Sequence, residues 1–113
     1  MSQRMRRYLP ILKRITRMND KARRRYVKNC DRALMDCFSE CAKNILKGNV
    51  PMSDRQFSRL KRQKTNVRDL ASKRTLLRKT RLIVQKGGFI QALLMPAIAT
   101  LGSAVLSRMI GNK

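Results

Sequence analysis

The chain has 113 residues, with 28 Lys and Arg against six Asp and Glu, a formal net charge of +22, and no His or Trp. That length allows one domain, and that charge calls for polyanionic partners: nucleic-acid phosphates first, anionic lipid headgroups and acidic protein tails after them. The lack of His, of a metal-ligand set and of a Gly-rich phosphate cradle argues against an enzyme and against any cofactor.

The opening, MSQRMRRYLPILKRITRMN, is not read as a secretory signal, because Lys13 and Arg14 break its apolar run. Leu9, Ile11, Leu12, Ile15 and Met18 predict a short basic amphipathic helix, with Pro10 in its first turn. Asn19 or Asp20 then offers an N-cap for a longer helix. Val27, Cys30, Leu34, Cys37, Cys41 and Ile45 recur in steps of three and four, an apolar stripe widened by Phe38 and Leu46. Gly48 and Pro51 end it.

Three cysteines at 30, 37 and 41 share one face of that helix. They read as small apolar core residues of a reducing compartment, with a redox lock to a partner's thiol as the minor alternative.

Ser53 and Gln56 form a capping-box sequence, and Asp54 complements the dipole of the helix that follows. Lys64–Asn66 weakens that helix and reads as a turn, and Ser72 as a cap or bend. Leu76, Leu77, Thr80, Ile83 and Val84 carry a stripe up to Gly87 and Gly88, although LIVQ also suits a strand. The stripe from Val27 to Leu46 holds too little apolar surface to fold alone and needs neighbours.

The expectation is therefore an all-α chain, a small basic helical hairpin or three-helix packing, partly disordered, with an apolar C-terminal helix beyond a Gly-Gly hinge. Residues 1–19 form the basic N-terminal segment, 20–86 the basic helical region, and 87–113 the hinge and tail.

From Phe89 to Ser107 no side chain is charged. The large residues there favour membrane insertion by about 0.3–0.6 kcal/mol each, marginal in sum. Phe89, Leu93, Leu94, Ile98, Leu101 and Val105 are the candidate contacts with a membrane, a partner or a second copy of this chain. Equally, the tail can pack as a core helix beneath the basic ones.

The run Gly87-Gly88-Phe89-Ile90, continuing through ALLMPAIATLGSAVLSRMI after a basic segment, resembles the precursor of the adenovirus core peptide called protein X or mu. The whole chain also looks like the short basic proteins of Polinton-type (Maverick, adintovirus) elements. The resemblance implies a virion-core protein that condenses double-stranded viral DNA in the host nucleus, and a viral cysteine protease that cuts between Gly88 and Phe89. The adenoviral enzyme prefers an aliphatic residue or Met two positions before the glycines, where this chain has Gln85. The helical middle, 27–46, has no counterpart in the short mature mu peptide.

Cations run from Arg4 to Lys86 with no acidic block, which suits sequence-independent neutralisation of duplex DNA. The candidate phosphate clamps are Arg4, Arg6, Arg7, Arg14, Arg23, Arg24 and Arg25 in the first part of the chain. Arg59, Lys61, Arg62, Lys73, Arg74, Arg78, Lys79 and Arg81 follow in the second. Two alternatives remain: a membrane-active minor capsid protein, whose tail tethers to capsid proteins or membrane, and a ribosomal or RNA-binding protein. The five aromatics, Tyr8, Tyr26, Phe38, Phe57 and Phe89, are too few for a base-stacking platform.

Overall fold

Local caps and apolar stripes set the helices. In the computed structural model the backbone is described for residues 3–73, 75–85 and 89–110, and side chains within these up to 84 and from 89 to 99. The described residues are all-α, with eight helices and no strand.

Helices α1 (Gln3–Arg7) and α2 (Leu9–Arg17) form the N-terminal arm, with Pro10 in the first turn of α2. Pro there forfeits an N–H that would have had no intrahelical partner. Asn19 caps α3 (Asp20–Lys28), its Oδ1 accepting from Ala22 N at 2.8 Å.

The stripe predicted as one helix through Val27 and Leu46 is broken at residues 29–31. Asp31 takes the N-cap of α4 (Arg32–Leu46), accepting from Leu34 N at 2.9 Å, and Asn29 Nδ2 donates back to Arg25 O at 3.1 Å. These short polar side chains give the backbone local partners that compete with a continuous helix. The apolar stripe survives the break: Val27, Leu34, Cys37 and Cys41 are all buried. Gly48, at φ +77°, adopts the left-handed conformation that closes α4.

Both halves of the capping box form on α5 (Asp54–Arg62): Gln56 N donates to Ser53 Oγ at 3.2 Å, and Ser53 N donates to Gln56 Oε1 at 3.0 Å. The break after it falls at Gln63, so the Lys64–Asn66 stretch opens α6 (Lys64–Ala71) instead of making a turn. Ser72 ends α6, its hydroxyl donating to Asp69 O at 2.6 Å. The LIVQ stretch is helical, inside α7 (Leu76–Gln85). Helix α8 spans Phe89–Ile110. Gly87 and Gly88, the expected hinge, lie outside the described residues.

The packing is richer than a hairpin or three helices. Helix α4 is central and touches α1, α6, α7 and α8, while α8 also packs on α2 and α5, and α3 packs on α7. Met5, Leu12 and Ile15 from the N-terminal arm share one core with Phe38, Leu70, Phe89, Leu93 and Leu94.

The tail is thus a core helix through its first turns. Burying Phe89, Ile90, Leu93 and Leu94 in protein is worth at most about 1.5–3 kcal/mol each, against about 0.3–0.6 kcal/mol each in a bilayer. Of the candidate tail contacts, Phe89, Leu93 and Leu94 are 1%, 0% and 0% exposed, as in the core-helix alternative. Ile98 is half-buried, and the side chains of Leu101 and Val105 lie outside the described ones. No single helix among the described residues is long and apolar enough to cross a membrane.

Candidate nucleic-acid interface

With the apolar residues turned inward, the helices present their basic residues outward. Arg4 and Arg7 on α1, Arg14 on α2, and Arg24 and Arg25 on α3 are exposed. So are Arg59, Lys61 and Arg62 on α5, Lys73 in the α6–α7 link, and Arg78 and Arg81 on α7. Arg6 is half-buried, with its Nε enclosed and without a hydrogen-bond partner. Arg74 lies outside the described residues.

Ten further cations are exposed that the sequence reading left out: Lys13, Arg17, Lys21, Lys28, Arg32, Lys43, Lys47, Arg55, Lys64 and Arg68. Their signal was present. Each falls off the apolar stripe of its helix, which places it on the solvent face. The coat therefore covers α1 to α7.

Two candidate clamps are not on the surface. Arg23 is 6% exposed and caps the end of α2. Its Nε donates to Ile15 O at 3.1 Å, its Nη2 to Met18 O at 2.5 Å, and its Nη1 to Asp20 Oδ1 at 2.8 Å. A guanidinium fork suits the cluster of free carbonyls at a helix C-terminus. Arg23 is thus committed to joining α2 and α3 and is not available to a phosphate. Gln91 reaches the same region from α8, donating to Thr16 O at 3.4 Å.

Lys79 is 9% exposed, and its Nζ donates to the Ser39 hydroxyl at 2.8 Å. Burial holds its ammonium below the usual lysine pKa; nearby Lys43 and Arg32 push the same way, and Asp36 opposes them.

Carboxylates do little to neutralise the coat. Arg4 meets Asp36 at 3.8 Å, and Asp20 is engaged by Arg23. Six acidic side chains cannot balance 28 cations.

Cys37 and Cys41 are buried and Cys30 half-buried, all as free thiols. Burial is the main cause that pushes Cys30 and Cys37 up to about 11 and Cys41 higher still. They belong to the core as expected. No group of three or more His, Cys, Asp or Glu among the described residues could hold a metal.

Of the bond at which the resemblance implies cleavage, Gly88 lies outside the described residues and Phe89 is buried in the core.

Fold and surface together define a small all-α domain with an apolar interior and a polycationic exterior. Comparison with protein-family models, curated proteins and solved structures found no match.

Proposed function

We propose that this protein binds double-stranded DNA without reading its sequence and condenses it, as a core protein of a virus or virus-like element. The observation that carries this reading is a match of charge and length. The molecule is 44 Å long. Duplex DNA carries one charge per about 1.7 Å of axis, so that length of duplex holds about 26 phosphate charges. One molecule of charge +22 laid along it neutralises most of them. Near-complete neutralisation removes the repulsion that keeps duplexes apart. Cations on seven helices, spread over more than one side of the body, favour bridging between duplexes.

The apolar tail does not compete with this role. Its first turns are occupied in the core, which weighs against a membrane-active reading. A single-stranded RNA role would call for several exposed aromatics, and Phe57 alone is exposed, with Tyr8 and Tyr26 half-buried.

The test is a salt titration on two unrelated duplexes of equal length, with an RNA duplex alongside. For roughly six to ten phosphate contacts, affinity falls about 10³–10⁵-fold between about 50 and 200 mM salt, equally for both DNA sequences. Light scattering rises as the charge ratio nears one. A strong sequence preference, binding indifferent to salt, or RNA binding far tighter than DNA binding at equal salt overturns the reading.

A further inference from the structure

We infer that the cavity around Lys79 is a discrete phosphate-binding pocket, distinct from the diffuse cationic coat. It holds about 420 Å³ where α1, α4, α7 and the α6–α7 link meet. A water takes about 30 Å³, so the space accepts a phosphate group together with its hydration. Its cations are Arg4, Arg32, Lys43, Lys73 and Lys79, and they outnumber its two carboxylates, Asp36 and Glu40.

Helical spacing builds the wall. Arg32, Asp36, Ser39 and Lys43 step along one face of α4 by three and four residues, with Glu40 beside them. Arg4 already engages Asp36 across the rim at 3.8 Å, which lessens that carboxylate's opposition to an anion.

Lys79 is the distinguishing residue. The residue is 9% exposed, and its ammonium lines the cavity and donates to the neutral hydroxyl of Ser39 at 2.8 Å. An ammonium withdrawn from water needs an opposite charge or several acceptors to offset desolvation. A phosphate seated between Lys79, Arg32 and Lys73 would supply both, with the Ser39 hydroxyl as a further donor. The buried lysine is attached to α7 and the facing wall to α4, so the anion would also bridge two helices of the core.

The pocket's ligand is a multiply charged phosphate, coming either from a free oligophosphate or from the DNA backbone. The inference does not depend on DNA binding, and the two are tested separately. Sodium tripolyphosphate is titrated calorimetrically into the full chain, with sodium sulfate at matched ionic strength as reference. One saturable site is expected, at least tenfold tighter than sulfate. Lys79→Met lowers its affinity at least tenfold. The exposed rim variant Arg32→Gln/Lys73→Gln does so without loss of fold, while Arg14→Gln on the far helix α2 leaves it unchanged.

If the DNA backbone supplies the phosphate, saturating tripolyphosphate displaces a short duplex, and the rim variant lowers the salt slope by about 0.9 per lost contact. If free oligophosphate is the ligand, duplex binding persists beside it. Weak non-saturating uptake, or equal affinity in the parent and rim variants, overturns the inference.

Discussion

Replacing Arg23 by Met separates a structural cation from the exposed cationic coat. Met fills much of the same space but takes the side-chain donor from the Met18 carbonyl and one of two donors from the Ile15 carbonyl, which keeps the Met18 N–H, at a site where Arg23 is 6% exposed. Each hydrogen bond to a charged donor is worth about 1.5–3 kcal/mol, and a carbonyl left buried adds its own desolvation penalty. The exposed Asp20 loses its partner too, a smaller effect. The expected cost is about 3–5 kcal/mol, or roughly 12–20 °C in Tm for a domain near this size. Arg23→Lys retains part of it, because an ammonium reaches fewer of the carbonyls. Urea unfolding followed by circular dichroism measures the loss. DNA affinity against salt, taken at a temperature where the variant is folded, supplies the second readout. Arg23→Met leaves the slope unchanged, whereas Arg24→Gln/Arg25→Gln lowers it by up to about 1.8 and leaves stability within about 0.5 kcal/mol. A loss below about 1 kcal/mol for Arg23→Met, or a fall in slope matching the surface pair, refutes the assignment.

The buried tail gives a second contrast. Leu93→Ala, at a fully buried site, costs about 2–5 kcal/mol, while Met95→Ala two residues on, 47% exposed, stays within about 0.5 kcal/mol; equal effects in urea unfolding would place α8 outside the core. Ser53→Ala removes one arm of the capping box and lowers stability by about 1 kcal/mol in the same assay. The thiols report burial through their reactivity. With Cys30 and Cys37 near 11 instead of 9.0, about 0.1% is thiolate at pH 8, so a disulfide reagent labels the folded chain about 100-fold more slowly than the urea-unfolded one, and comparable rates would contradict the packing. The unfolded chain releases these thiol protons first. The stability tied to the protonated thiols is therefore present below pH 9 and lost as pH rises from about 9 to 11. Lys79 acts in the opposite direction, because raising the pH relieves the cost of its buried charge.

Local signals were legible wherever the chemistry was local. Asn19, Ser53 and Gly48 mark helix ends by residue type alone, and the structure uses each of them. The stripe from Val27 to Cys41 correctly names core residues, but periodicity could not register a break at 29–31 that keeps the same face inward. Asp31 carried that information, hidden because an acidic residue in mid-stripe reads equally well as surface.

The fate of individual cations was not legible. Arg23 lies in the run Arg23-Arg24-Arg25, and nothing in those three residues says that the first turns towards the end of α2 while the others face water. That depends on how α2 and α3 meet. Lys79 is the same case at longer range, since its partner Ser39 is forty residues away. Arg32 and Lys43 stand at ordinary pairing distance in sequence from Asp36 and Glu40 on one helix, and only α1 and α7 closing over that face turn it into a cavity.

Helix α8 also fixes when the domain can be completed. Phe89, Leu93 and Leu94 fill the space between α2, α4 and α5, yet they are synthesised after all three. Until those residues emerge from the ribosome, Leu12, Ile15 and Phe38 lack the side chains that enclose them. The nascent protein must carry a nearly finished set of basic helices around an open interior, and only its late residues let it close.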